Sequence, residues 1–152
     1  MLPVIPSLRD GINSAAMKRV LFLCTGNAAR SQMAEALANH FHGDVIEAVS
    51  AGSRAAGFVH PGAIRAMAEI AVDISEAESK SAAPFLDQPF DVVVTVCDSA
   101  AQDCPHWPGA KRIEHWPIED PSFAPAGDAA RRFRETRDDL ARRIDELVAT
   151  LS

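Results

Sequence analysis

Residues 20–41 read VLFLCTGNAARSQMAEALANHF, and this stretch decides the fold prediction. The apolar run that ends at Leu23 predicts a β-strand, and the amphipathic stretch from Ser31 to Phe41 predicts an α-helix. The turn between them, residues 24–30, would then lie at a helix N-terminus, where free backbone N–H groups and the helix dipole favour an anion. We therefore predict that this turn is an anion-binding loop.

The side chains of this turn suit nucleophilic chemistry on an oxyanion. The helix dipole favours the thiolate form of Cys24, which would make it a nucleophile at neutral pH. Gly26 allows the backbone to approach a ligand closely, and the planar guanidinium of Arg30 matches two oxygens of a tetrahedral oxyanion. A purely structural cysteine is the alternative, but the strand, the loop, Ser31 and the helix together favour an anion-binding loop.

Composition and charge exclude several classes of protein. The chain has 152 residues, of which 47% are apolar and 24% charged, as expected for one globular domain. Its net charge of -6 argues against a general binder of nucleic acid or of anionic membranes, and no apolar stretch reaches membrane-spanning length. The cysteines are odd in number and no secretion signal is evident, so we expect free thiols and a cytoplasmic location.

The alternation of strands and helices predicts the architecture. Residues 1–17 show no convincing period and are predicted to be a mobile N-terminal extension, or to precede a true start at Met17, so that the domain spans residues 18–152. Predicted strands cover residues 19–24, 44–50, 90–96 and 111–116, and predicted helices cover residues 31–41, 61–72, 79–86 and 128–150. This order predicts a single α/β domain with a four-stranded parallel sheet flanked by helices on both faces.

Two further cysteines follow the third predicted strand. Cys97 comes directly after it and Cys104 lies seven residues later, so a disulfide between them would close with little loss of chain entropy. Because Cys97 leaves the same edge of the sheet as Cys24, a relay of three thiols is feasible, each attacked sulfur being resolved by the next thiolate. Two inert, packed cysteines are the alternative. A zinc site from these two residues with His106 and His115 is disfavoured, since no C-x2-C spacing is present.

Asp120 is the candidate acid of the site. It follows the fourth predicted strand, and a carboxylic acid above the anion loop could protonate a leaving oxygen. Taken alone, however, Asp120-Pro121 is more often just a turn. The sequence shows no His/Asp arrangement of a hydrolytic triad, and the other histidines are interpreted as surface or turn residues: His40, His42, His60 and His106.

Several segments, taken in order, resemble one family. They are CTGNAARSQMAE at residues 24–35, SAG at residues 50–52, the pair Cys97 and Cys104, and EHWPIEDP at residues 114–121. With this spacing the chain is similar to the thioredoxin-coupled arsenate reductases, which share the fold of the low-molecular-weight protein tyrosine phosphatases. The resemblance implies that fold, an arsenate reductase activity without a cofactor, and phosphate or sulfate as analogues of arsenate. We expect a monomer.

The resemblance also implies a role for each matching residue. Cys24 attacks arsenate, and Asp120 acts as the general acid. Cys97 then displaces arsenite by attacking Cys24, Cys104 attacks Cys97, and thioredoxin reduces the resulting Cys97–Cys104 disulfide. Ser31 supports the thiolate, and Asn27 braces the loop. Arg30 holds the arsenate oxygens together with the backbone amides of the loop, which belong to Thr25, Gly26, Asn27, Ala28 and Ala29.

Two positions depart from the family pattern. Ala29 replaces a second loop cysteine found in many relatives, which removes a competing oxidation partner. Some relatives hold a potassium ion near the residues that match Asn27, Glu35 and Ser50. The fourth, acidic position of that site falls on Lys80 here, so no metal site is predicted and the Lys80 ammonium is expected to substitute for the ion.

Two other functions stay open at the level of sequence. A low-molecular-weight protein tyrosine phosphatase would use the same loop, arginine and acid. Members of that group usually carry tyrosines after the Asp-Pro pair, however, and this chain has no tyrosine. A phosphatase also has no need of Cys97 and Cys104. A non-catalytic oxyanion or redox sensor would keep the loop without the ordered relay.

Overall fold

The structure is a computed structural model in which residues 17–96 and 107–151 are described. The strands are β1 (Lys18–Cys24), β2 (Ile46–Gly52), β3 (Val92–Thr95) and β4 (Ile113–His115). The α-helices are α1 (Arg30–His42), α2 (Pro61–Ala68) and α3 (Ala129–Ala149), and 3-10 helices cover Ala83–Phe85, Pro121–Phe123 and Ala126–Asp128. Within the described ranges, no helix is long and apolar enough to cross a membrane.

The strands form one parallel sheet in the order β2-β1-β3-β4, which confirms the predicted α/β architecture. β1 is central and pairs with β2 along its whole length, and its residues from Val20 to Cys24 are all buried. β3 is a run of β-branched residues that is buried throughout, as is typical of a strand covered on both faces. The predicted extension, residues 1–17, lies outside the described residues except for Met17, so the domain boundary stays a prediction.

Side chains of β1 alternate between two apolar clusters, one on each face of the sheet. Phe22 belongs to the cluster that α1, α2 and α3 complete. Leu21 and Leu23 belong to the other, which Trp107 closes together with the 3-10 helix Ala83–Phe85. Helical segments therefore lie on both faces, and the carboxyl end of β1 emerges between them.

The helix predicted over residues 61–72 is shorter in the structure and ends at Ala68. Ala71 adopts a left-handed backbone conformation with a φ of 63°, which no α-helix can continue. The Val72 N–H bonds back to the Met67 carbonyl at 3.0 Å, so the chain closes the helix and turns away.

The helix predicted over residues 79–86 is reduced to the single turn Ala83–Phe85. The preceding residues are extended because they pair with the end of β2. Gly52 donates its N–H to the Lys80 carbonyl at 2.8 Å, and the Ala82 N–H donates to the Gly52 carbonyl at 2.9 Å. This pairing places the backbone of Lys80 next to the loop that follows β1.

Arg137 ties α3 to α2 through a buried guanidinium group. Its Nη1 donates to the Ala66 carbonyl at 2.8 Å and to Glu69 Oε1 at 3.0 Å. Hydrogen bonding to Asp138 raises the pKa of Arg137 above its ordinary value, although burial opposes this, so the group stays charged. A buried charge of this kind is tolerated because each of these partners is an acceptor.

Gly62 in the first turn of α2 lies directly against Phe133 of α3. A Cβ atom on Gly62 would lie 2.5 Å from Phe133 Cε2, closer than side-chain packing permits. The two helices can therefore approach each other at this point only because residue 62 is a glycine.

We expect Gly62→Ala to lower the free energy of unfolding by about 1–3 kcal/mol, because the Phe133 ring must move to make room. Gly127→Ala is the matched control, since a Cβ there meets nothing within 4 Å. Its stability should stay within about 0.5 kcal/mol of wild type. Urea unfolding followed by circular dichroism measures both, and equal stability of Gly62→Ala and wild type would contradict the packing argument.

Candidate active site

The predicted anion loop, residues 24–30, joins the end of β1 to the start of α1, as expected. Its carbonyl oxygens bond outwards, at 2.8–3.2 Å, to backbone N–H groups of the segment after β2: Cys24 to Ser53, Thr25 to Arg54, Gly26 to Ala56 and Ala28 to His60. In a planar trans peptide the carbonyl and the following N–H point to opposite sides. The N–H groups that follow these carbonyls therefore face the inner side of the loop, where an anion would lie.

The sulfur of Cys24 has two hydrogen-bonding neighbours inside the loop. Ser31 Oγ lies 2.9 Å from Cys24 Sγ, and the backbone N–H of Asn27 donates to Sγ at 3.2 Å. Asn27 Nδ2 also donates to Ser31 Oγ at 2.7 Å, which leaves the Ser31 hydroxyl hydrogen for the sulfur. The Cys24 sulfur thus accepts hydrogen bonds from two groups, the Ser31 hydroxyl and the Asn27 backbone N–H.

Asn27 fixes the conformation of the loop. It is fully buried and has a left-handed backbone with a φ of 48°. Its Nδ2 donates to Ser31 Oγ and, at 3.0 Å, to Ser50 Oγ, while its Oδ1 accepts from Gln32 Nε2 at 2.9 Å and from the Lys80 backbone N–H at 2.7 Å. Both polar atoms of this side chain are thus hydrogen-bonded, each to two partners, and these partners lie in α1, in β2 and in the segment after α2.

Gly52 at the end of β2 allows the loop to pack against the neighbouring strand. A Cβ on Gly52 would lie 2.6 Å from the Thr25 carbonyl oxygen and 2.9 Å from the Asn27 nitrogen. Both are backbone atoms of the loop, which cannot shift without losing the inward N–H groups. Glycine at this position is a requirement of the site.

Arg30 and Asp120 meet across the pocket, as the sequence predicts. Arg30 Nη1 donates to the Ile118 carbonyl at 2.8 Å, and its Nη2 lies 3.4 Å from Asp120 Oδ2. Asp120 Oδ1 accepts from the backbone N–H of Ser122 at 3.0 Å and from its hydroxyl at 2.7 Å. Asp120 is therefore the cap of a 3-10 turn and also a neighbour of Arg30, and its role as the acid of the site stays a prediction.

These residues surround a pocket of about 40 Å³, which is enough for a few water molecules or one small oxyanion. It is lined by Cys24, Gly26, Ala28, Ala29, Arg30, His60, Asp120 and Ser122. A larger open groove of about 400 Å³ begins at Asp120 and runs past Phe123, whose side chain is 85% exposed. The reactive sulfur belongs to the small pocket, so that pocket is the candidate active site.

The structure brings together Cys24, Arg30, Asp120 and the loop residues, whereas Cys97 and Cys104 lie outside the described residues. His60 and Ser122 also line the pocket, and neither residue was predicted from the sequence to belong to the site. The sequence signal for His60 is its place directly before Pro61, which is typical of a helix N-cap. Its proximity to Cys24 depends on packing and has no local signal.

Lys80 occupies the neighbourhood of the candidate cation site. Ser50 Oγ donates to Glu35 Oε1 at 2.7 Å, and Lys80 Nζ lies 3.6 Å from the same oxygen. Lys80 Nζ also donates to the Glu78 carbonyl at 3.2 Å. An ammonium group at this place supplies the positive charge that an ion would bring. Among residues 17–96 and 107–151, no group of three or more His, Cys, Asp or Glu residues could hold a metal ion.

A parallel sheet whose central strand ends in a cysteine loop of this geometry defines the class of phosphatase-like, anion-binding proteins. The chain belongs to the low molecular weight phosphotyrosine protein phosphatase family, whose model matches residues 19–152. Its curated relatives include the arsenate reductase of Halalkalibacterium halodurans, 43% identical over 135 residues that cover 88% of this chain and 96% of that protein. The arsenate reductase of Bacillus subtilis is 38% identical over 135 residues, with the same two coverages.

Solved structures of similar proteins agree with this assignment. An arsenate reductase in the phosphate binding state superposes with a TM-score of 0.78 and 35% identity, covering 90% of this chain and 100% of the other. The thioredoxin-dependent arsenate reductase of Corynebacterium glutamicum superposes with a TM-score of 0.70 and 29% identity, covering 95% of this chain and 67% of that one. The similarity therefore extends through the whole described sheet and its loop.

We expect the activity and melting temperature of this protein to be the same in potassium as in a cation too large to bind, such as N-methylglucamine. The reason is that the Lys80 ammonium already lies beside Glu35, and a bound ion stabilises only in proportion to its occupancy. Lys80→Asp supplies the acidic group of the relatives and should introduce a potassium-dependent rise in melting temperature. A potassium-specific rise in the melting temperature of the wild-type protein would contradict the prediction that the Lys80 ammonium takes the place of the ion.

Proposed function

We propose that this protein is an arsenate reductase with Cys24 as its nucleophile. The observation that carries the proposal is the position of the Cys24 sulfur, which has Ser31 and Asn27 as hydrogen-bonding neighbours in a pocket shared with Arg30 and Asp120. Such a pocket suits any tetrahedral oxyanion. Similarity to arsenate reductases along 88% of the chain supports arsenate as the substrate, with phosphate and sulfate as analogues.

In the first step the Cys24 thiolate attacks arsenic. A sulfur–arsenic bond forms and the bond from arsenic to one hydroxyl oxygen breaks, and this leaving hydroxyl group takes a proton from Asp120 and departs as water. Arg30 and the inward N–H groups of the loop hold the remaining oxygens and their negative charge. Arg30 and Asp120 line the same pocket, with Arg30 Nη2 3.4 Å from Asp120 Oδ2, so both groups are within reach of one bound ion.

In the second step the Cys97 thiolate attacks the Cys24 sulfur. A disulfide forms as the sulfur–arsenic bond breaks, and the electron pair of that bond stays on arsenic, which leaves as arsenite. Cys104 then attacks the Cys97 sulfur, so that the disulfide moves to Cys97–Cys104 and Cys24 is released as a thiolate. Cys24 gains and loses two bonds and ends as a thiolate, Cys97 and Cys104 end joined by one disulfide bond, and the two electrons that reduce arsenic come from these two thiols.

The pairing of β1 with β3 supports this order of attack. The Val96 N–H donates to the Leu23 carbonyl at 2.8 Å, and these are the residues directly before Cys97 and Cys24. The two chains of a parallel pair leave the sheet at the same edge, so the described ends of β1 and β3 lie side by side there.

Thioredoxin is the proposed reductant of the Cys97–Cys104 disulfide, which makes it the protein partner of the cycle. The similarity to a thioredoxin-dependent arsenate reductase of Corynebacterium glutamicum supports this choice. All steps use cysteine thiols, so the proposal requires no cofactor. Free thiols persist in a reducing compartment, and the cytoplasm is therefore the proposed location.

A phosphatase activity is the second candidate, because the groove beyond Asp120 could take the organic part of a phosphate ester. The exposed Phe123 ring lies in that groove and offers an apolar surface to an aromatic group. The family match favours this as a side activity at the same nucleophile. A non-catalytic sensor would show neither activity.

The deciding experiment measures arsenite formation from arsenate with thioredoxin, thioredoxin reductase and NADPH, beside p-nitrophenyl phosphate hydrolysis. Turnover mainly in the first assay supports the reductase, turnover only in the second the phosphatase, and none in either the sensor. We expect Cys24→Ser to abolish both activities, since each requires the thiolate. Cys104→Ser is the matched control, because it should keep the hydrolysis of p-nitrophenyl phosphate. Appreciable turnover by Cys24→Ser would move the chemistry away from the loop.

Cys97 and Cys104 should be distinguished by the step at which the cycle stops. Cys97→Ser should release no arsenite even in one turnover, because no thiol attacks Cys24. Cys104→Ser should release about one arsenite per protein and accumulate a Cys24–Cys97 disulfide, a poor substrate for thioredoxin because the loop shields it. Quenched single-turnover assays with mass mapping of disulfides test this. Repeated thioredoxin-dependent turnover by Cys104→Ser would reject the three-cysteine relay.

A further inference from the structure

His60 lines the pocket around Cys24, although no step of the proposed mechanism uses its side chain. Its side chain shares that pocket with Cys24, Arg30 and Asp120. Its backbone N–H donates to the Ala28 carbonyl at 2.8 Å, so the residue is attached directly to the anion loop. An imidazole at this place reaches the pocket from α2, an element that otherwise contributes nothing to it.

The start of α2 determines which ring nitrogen of His60 carries hydrogen. His60 is the N-cap of this helix, and its Nδ1 accepts a hydrogen bond from the Gly62 backbone N–H at 2.9 Å. A nitrogen that accepts carries no hydrogen, so the hydrogen of the neutral ring lies on Nε2. The nitrogen that is not used by the helix is therefore a donor, which is the kind of group that an oxyanion binds.

The orientation of the His60 ring is fixed on a second side by α3. The ring stacks on Phe133, with centroids 4.9 Å apart and an interplanar angle of 30°. Gly62 makes this stack possible, because a Cβ there would lie within 2.5 Å of the Phe133 ring. With Nδ1 bonded and one face covered, the Nε2 edge and the opposite face are what the ring can present to the pocket. A donor held in this way loses little entropy when it binds.

We propose that His60 is a further oxyanion-binding residue, whose Nε2–H donates to an oxygen of the anion bound at Cys24. The inference rests on the proposed function for the identity of that anion as arsenate, but phosphate serves equally well as a probe of the contact. The hydrogen bond involves an oxygen that keeps its charge throughout the first step. It should therefore tighten binding of substrate and transition state alike, and its loss should appear in Kd and KM more than in kcat.

Two substitutions separate the donor from the structural parts of the side chain. His60→Asn keeps an N-cap acceptor for α2 but removes Nε2, whereas His60→Phe keeps a ring against Phe133 but removes both nitrogens. Both should weaken the binding of inorganic phosphate about tenfold, as measured by calorimetry, and raise KM for arsenate with kcat within about twofold. His40→Asn, an exposed histidine of α1, is the matched control and should bind phosphate like wild type. Wild-type phosphate affinity in either His60 variant would overturn the proposal.

A spectroscopic measurement on the unaltered protein makes the test independent of any effect of substitution on folding. In protein labelled with 15N-histidine, we expect the His60 Nδ1 signal to be that of an unprotonated nitrogen. The Nε2–H signal of His60 should shift during titration with phosphate and saturate at the calorimetric Kd, while that of His40 stays in place. A His60 signal that does not respond to saturating phosphate would overturn the inference.

The same experiments keep this inference distinct from the proposed function. A protein that reduces arsenate but shows no response of His60 to phosphate retains its function and loses the His60 contact. A protein that shows the His60 shift with phosphate but does not reduce arsenate supports the contact and rejects the reductase.

Discussion

A single buried asparagine determines the shape of the anion loop, and the rest of the site depends on that shape. The left-handed backbone of Asn27 costs on the order of 1 kcal/mol, and its side chain offsets this with four hydrogen bonds, each worth about 1 kcal/mol net. The partners are Ser31, Gln32, Ser50 and the backbone of Lys80, which belong to α1, to β2 and to the segment after α2. The folded core therefore sets the loop, with its N–H groups already turned inward, before any anion binds.

The hydrogen bonds that the loop requires also explain why residues 80–81 are not helical. Lys80 gives its N–H to the Asn27 side chain and its carbonyl to the N–H of Gly52. A helix would use both groups within the segment, and would leave Asn27 Oδ1 without a bond that the loop needs. Gly52 completes the arrangement, since it brings β2 within contact of the loop backbone. This short extended stretch therefore holds the anion loop and β2 together, and it places the Lys80 side chain next to Glu35.

The features of this structure that could be predicted from the sequence are those whose determining residues lie close together in the chain. The loop from Cys24 to Arg30 was predictable because its strand, its glycine and its helix are contiguous in the chain. The buried strand β3 was predictable for the same reason, from its run of β-branched residues. The extended conformation of residues 80–81 was not, because it is imposed by hydrogen bonds to Gly52 and Asn27, which are remote in sequence. The position of His60 was missed likewise, since only the packing of α2 against the loop and Phe133 brings its ring to the pocket.

The arrangement of the sheet shows how a phosphatase-like site can be extended to redox chemistry with few changes. A thiolate in an anion loop forms a covalent adduct with an oxyanion, and in a phosphatase water resolves that adduct. A reductase needs a second thiol within reach of the first, and a cysteine shortly after an adjacent parallel strand is a way to supply one without altering the loop, because both strands end at the same edge. The bond from Val96 to the Leu23 carbonyl fixes that register. In the relay proposed for this protein, Cys97 decides the reaction that follows the adduct, while the loop after β1 decides binding.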